Sequence, residues 1–113
     1  MYLEFSDTPE WLDLPEEYQI LISQGLVNFD PWILMPRESV IKRMLKLHER
    51  FPGRKLFPFA KREDCDDLAC WEEANGIVVI HDFASPGFEG GQESYSFWDW
   101  FRKVVEEMIE YNC

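Results

Sequence analysis

Between Glu63 and Trp71 the chain reads Asp64, Cys65, Asp66, Asp67 and Cys70, two thiols and three carboxylates within seven positions. Residues of these types can hold a metal ion. The spacing, however, has no CxxC pair and no partner histidines, so it fits no zinc pattern. It also lacks the sixth-position Gly and twelfth-position Glu of a calcium-binding loop. The plainer expectation is an acidic, solvated turn leading into a strand, with Cys70 turned toward the core beside Leu68. No cofactor or metal is expected.

A second constellation is His81-Asp82 followed by Ser85, the residue types of a hydrolase triad. Consecutive residues of a strand point to opposite faces, so His81 and Asp82 would not meet, and no GxSxG elbow accompanies them. His48 lies in a helical pattern and reads as a core histidine. Carboxylate pairs such as Glu72 with Glu73, or Asp82 with Glu89, would need burial of one member to serve as acid and base. The run Gly87-Phe88-Glu89-Gly90-Gly91 lacks the Lys of a phosphate loop, and Glu89 would repel phosphate. Trp32, Trp71, Trp98 and Trp100 are mostly core material in a domain this small. Trp100 lies off the stripe of Phe97, Phe101 and Val105, which makes it the candidate for an exposed protein-binding anchor.

These residues must be positioned by local elements. Asp13-Leu14-Pro15-Glu16 reads as a helix start with Asp13 as cap, Tyr18, Leu21 and Ile22 share a face, and Gly25 stops it. Asn28 to Pro31 is turn chemistry, and Trp32 to Met35 a short strand. From Arg37 to Phe51 the set Val40, Ile41, Met44, Leu45, His48 and Phe51 predicts an amphipathic helix with a basic outer face, ended by Pro52-Gly53. Leu56 to Ala60 reads as an edge strand, because Pro58 cannot donate to a ladder. Asp67 to Glu72 and Ile77 to Phe83 flank Asn75-Gly76, which predicts a β-hairpin. Ser96-Phe97-Trp98-Asp99 resembles a capping box opening a last helix to about Tyr111, with Phe97, Trp98, Phe101, Val105, Met108 and Ile109 as its apolar stripe. Helices and hairpin-linked strands in this order imply one α+β domain over residues 1–113, a small mainly antiparallel sheet with flanking helices.

The chain of 113 residues is rich in aromatics, with nine Phe and five Trp, and carries a net charge of −11. That charge argues against nucleic acid as partner, since phosphate binding needs clustered Lys and Arg. The charge is also segmented. Residues 1–36 hold seven acids and no Lys or Arg, residues 37–62 nine bases and two acids, and residues 63–113 two bases and thirteen acids. One reading is a basic helix neutralised by acidic loops packed around it; another is an acidic surface that engages a basic protein. Three cysteines suit free thiols in a reducing compartment. With no apolar run long enough to span a bilayer and no signal-peptide pattern at Met1 to Trp11, a cytoplasmic protein without membrane contact is expected.

Several segments together resemble the SUKH superfamily, the domain shared by yeast cell-wall-assembly regulators and bacterial toxin-immunity proteins. They are Leu14-Pro15-Glu16-Glu17-Tyr18, Leu56-Phe57-Pro58-Phe59-Ala60, Asp67-Leu68-Ala69-Cys70-Trp71-Glu72, Ile77-Val78-Val79-Ile80 and Ser96-Phe97-Trp98-Asp99-Trp100-Phe101. Gln24-Gly25 stands where the family often has Asn-Gly. The resemblance implies a SUKH-like sheet with flanking helices and a role as an immunity protein or binding adaptor. With the charge pattern, it leads to the expectation of a non-enzymatic module that neutralises a basic toxin, a nuclease being one such partner. The expected binding residues are Asp64, Asp66, Asp67, Asp82, Glu89, Glu93 and Trp100. Two other classes stay open: a cytoplasmic scaffold without a toxin, and a small hydrolase using His81 and Asp82.

Overall fold

The computed structural model describes residues 1–81 and 94–112. A short 3-10 turn at Phe5–Asp7 is followed by helix α1 (Glu16–Ser23), strands β1 (Asn28–Phe29) and β2 (Trp32–Leu34), and helix α2 (Arg37–Arg50). Strands β3 (Leu56–Arg62), β4 (Leu68–Glu72), β5 (Gly76–Ile80) and β6 (Ser94–Tyr95) come next, and helix α3 (Phe97–Tyr111) closes the described order. The six strands form one sheet in chain order β1-β2-β3-β4-β5-β6, every neighbouring pair antiparallel. The α+β class expected from the element order is the one observed.

Leu68, Ala69, Cys70 and Trp71 are all buried, as are Ile77 through Ile80. Successive strand residues face opposite sides, so both faces of the central sheet are covered. One face carries an aromatic cluster. Phe59 stacks on Trp71 with ring centroids 4.2 Å apart, and Tyr18 of α1 and Trp100 of α3 meet them edge-on. Such pairs add to the free energy of burying the rings themselves. The Tyr18 hydroxyl accepts a hydrogen bond from the Leu3 amide at 3.2 Å, and burial pushes the phenol up to about 12. Helix α2 packs against β3, burying Val40 and Leu47. Arg37 ties its start to the N-terminal segment through Asp7 at 3.0 Å and Glu4 at 3.2 Å.

Several expectations shift in detail. Pro15, not Asp13, occupies the cap position of α1, and no side chain caps it. Asn28–Phe29 is a strand, so the turn chemistry before Trp32 narrows to Asp30-Pro31 inside a hairpin. Strand β3 is internal, paired with β2 on one side and β4 on the other. Pro58 is tolerated there because β2 reaches only as far as Ala60, and the register with β4 slips between Pro58 and Ala60; such bulges admit proline.

The β4–β5 hairpin is present, but Glu72 pairs with Gly76, so the loop is Glu73-Ala74-Asn75 and Gly76 opens the strand. Ala74 takes the left-handed conformation, at φ 69°. The Ser96 hydroxyl accepts from the Asp99 amide at 3.3 Å, as a cap should, while the Asp99 carboxylate turns to Arg102 at 2.8 Å.

The two long helices are both rotated relative to the expected phase. In α2 the buried face is Val40 and Leu47, with Met44 half-buried and Phe51 just beyond, leaving Ile41, Leu45 and His48 outside. In α3 it is Phe97, Trp100 and Val104. Trp100, expected at the surface, is 1% exposed, while its neighbour Trp98 is 38% exposed.

Candidate acidic binding site

The β3–β4 turn places Glu63, Asp64, Cys65 and Asp66 at the surface, with Asp67 half-buried behind them. Arg62, the last residue of β3, organises it. Its guanidinium meets Asp64 through two bonds of 2.9 and 3.0 Å, a bidentate arrangement that fixes orientation as well as charge. The same group donates to Glu107 of α3 at 2.7 Å, and the indole N–H of Trp32 reaches that carboxylate at 3.4 Å. Register explains the meeting, since Trp32 pairs with Arg62 across β2 and β3. The Arg62 bond holds the Asp64 carboxyl below the usual carboxylate range, and Asp64 in turn raises the guanidinium.

Asp67 is the second fixed carboxylate. Its Oδ2 lies 3.0 Å from Nδ1 of His81, which follows the end of β5 and is largely exposed. Leu68 pairs with Ile80, so the positions flanking that pair meet at the same edge of the hairpin. His81 therefore has an aspartate partner, but it is Asp67 rather than Asp82. Among the described residues no serine or cysteine hydrogen-bonds to this histidine. The Cys65 thiol is pushed up, chiefly by desolvation and further by the Asp67 and Asp64 carboxylates, so it is a poor nucleophile at neutral pH. The Cys70 thiol is fully buried and pushed up further by that burial.

Behind the turn is a small polar cavity of about 130 Å³, with Arg43 of α2, Lys61 and Arg62 facing Glu63, Asp66 and Asp67. Lys61 lies 3.6 Å from Glu63. Among the described residues no group of three or more His, Cys, Asp or Glu is placed to hold a metal ion.

The structure thus brings Glu63, Asp64, Asp66 and Asp67 into one turn and adds Glu107 and His81, which the sequence does not group with them. Asp82, Glu89 and Glu93 lie outside the described residues. Trp100 does not belong to the site. Its ring packs at 4.9 Å on Phe59, 5.6 Å on Phe97 and 5.8 Å on Trp32, and its indole nitrogen is buried with no hydrogen-bond partner among the described residues. The surface indole is Trp98, edge-on to Phe97 at 5.7 Å and to Phe101 at 5.9 Å. The spacing Phe97, Trp100, Val104, Met108 is a helical stripe as regular as the expected one, so the sequence offers both faces.

No helix among the described residues is long and apolar enough to cross a membrane. No protein-family model, curated protein or solved structure matches the chain.

Proposed function

We propose that this chain is a non-enzymatic protein-binding module of the immunity type, and that its acidic β3–β4 turn engages a basic protein. One observation carries the reading: a surface turn bearing Glu63, Asp64 and Asp66 whose shape is held from behind by Arg62 and by the Asp67–His81 pair. A turn already ordered loses less conformational freedom on binding. Its outward carboxylates attract a basic surface and raise the association rate. A toxin that acts on nucleic acid is a fitting partner, since it must carry positive charge to hold its substrate. Binding would block that surface by occupancy. The resemblance of the strand and helix segments to the SUKH superfamily supports the same role by analogy.

Asp64 is committed to Arg62 and Glu63 is loosely paired with Lys61 at 3.6 Å, so Asp66, followed by Glu63, has most to offer a partner. The experiment uses the protein encoded beside this chain, produced as its basic C-terminal domain. Association kinetics are recorded for wild type and for Glu63→Gln with Asp66→Asn, at about 0.05 M and about 0.5 M salt, where screening lengths differ several-fold. The double variant should associate roughly 3- to 10-fold more slowly at low salt, with the gap closing at high salt and the melting temperature unchanged. Equal on-rates at low salt would remove the acidic turn from the mechanism. A neighbouring product that is not basic, or does not bind, would leave the scaffold reading in place of immunity.

A further inference from the structure

Lys42, Arg43, Lys46 and Arg50 share one flank of α2, because residues three and four positions apart are neighbours on a helix surface. Arg50 lies over the Phe51 ring at 5.6 Å. Arg43 turns into the polar cavity behind the β3–β4 turn, where it faces Glu63, Asp66 and Asp67. Lys42 and Lys46 are exposed, with no ion pair among the described residues.

Arg43 therefore joins two surfaces of opposite sign. On one side of it stand the carboxylates of the turn, and on the other Lys46, three positions along the helix, with Lys42 one turn before Lys46. The cationic strip is narrow. Glu38 precedes Lys42 by one turn and Glu49 follows Lys46 by three residues, so acids border the lysines on the side away from Arg43. A standard interface covers roughly 800 Å² of each partner, so a protein seated on the turn also covers this strip.

We infer that Lys42 and Lys46 orient the partner: the basic surface seated on the turn carries an acidic residue or two at its border, and these meet the strip. The inference rests on the binding role proposed above and adds to it a pattern of sign. A uniformly basic partner would set like charges against Lys42 and Lys46, and such juxtapositions select against a complex. The narrowness of the strip limits the complementary feature to one or two carboxylates. Charges of this kind act on the rate and orientation of encounter more than on affinity. A second copy of the chain fits less well, since two chains of net charge −11 repel each other as they approach.

The test extends the association kinetics above, with the same basic C-terminal domain as probe at about 0.05 M salt. Lys46→Glu should slow association about 2- to 5-fold, and Lys42→Glu with Lys46→Glu more, although the added negative charge alone would speed it. Lys55→Glu, just before β3 and about 20 Å along that strand from the turn, makes the same change in net charge as Lys46→Glu. It should leave the rate unchanged or raise it. Among single Asp→Lys and Glu→Lys changes in the probe, at least one should restore the rate lost in Lys46→Glu while slowing association with wild type. Lysine variants that associate as fast as wild type, or faster, would overturn the inference in favour of a uniformly basic partner. If Glu63→Gln with Asp66→Asn still slows association in that case, the binding role stands without it. A turn variant with an unchanged rate would remove the binding role and this inference together. Concentration-dependent self-association of the chain, abolished by Lys46→Glu, would assign the strip to a second copy and overturn the inference as well.

Discussion

Three glycines separate two costs that are usually confounded. Gly76 has φ +75°, and a Cβ built there would lie 2.8 Å from the Tyr95 carbonyl oxygen. That oxygen belongs to β6, whose register is fixed by the Ile77–Tyr95 pair, so it is backbone that cannot swing aside. Gly25 has φ +71° but, among the described residues, nothing within 4 Å of its Cβ position, and Gly53 has neither constraint. An alanine in the left-handed region costs about 1–2 kcal/mol, and forcing atoms into a packed site adds about 1–3 kcal/mol. Gly76→Ala should therefore lose about 2–5 kcal/mol, Gly25→Ala about 1–2 kcal/mol, and Gly53→Ala less than about 0.5 kcal/mol. The assay is urea denaturation. With a slope of about 1–3 kcal/mol per molar for a small domain, the Gly76→Ala midpoint should drop by about 1 M or more. Equal losses at Gly25 and Gly76 would show that the contact with β6 costs nothing, and would refute the tight packing of the β4–β5 hairpin against that strand.

Two further perturbations test the packing and the ion pairs. Glu72, its side chain 10% exposed, receives two bonds from Arg54 at 2.7 and 2.8 Å, which hold its carboxyl below its ordinary value near 4.5. The stability this confers is present above about pH 4.5 and lost as pH falls through the lowered folded value. Glu72→Gln should lose about 1–2 kcal/mol at neutral pH, a difference from wild type that shrinks in melts recorded below about pH 4. Trp100→Ala, emptying the aromatic core, should cost about 3–5 kcal/mol, whereas Trp98→Ala at the surface should cost less than about 2 kcal/mol by the same denaturation assay. Comparable losses would contradict the observed phase of α3.

The α+β class, the positions of the three helices and the β4–β5 hairpin were legible in the sequence because they rest on local rules. Periodicity, Pro52-Gly53 and Ser96 act within a few residues. The acidic turn was legible for the same reason. The face that α1 buries, with Tyr18 and Leu21, was legible too, but those of α2 and α3 were not. Ile41 and Leu45 in α2, and Trp98 beside Trp100 in α3, are apolar on two sides, and periodicity cannot choose between two apolar faces. That choice was made by partners distant in sequence, such as Phe59 and Trp32 waiting for the Trp100 ring. Pro58 was misplaced at an edge because neither the length of β2 nor the slip in register with β4 is written in β3 itself. The ties that shape the acidic site are also long-range: Arg62 to Glu107 spans 45 positions, and Asp67 to His81 spans 14. A sequence specifies which groups can attract each other, but pairing across such separations depends on strand register, and only the folded sheet supplies that.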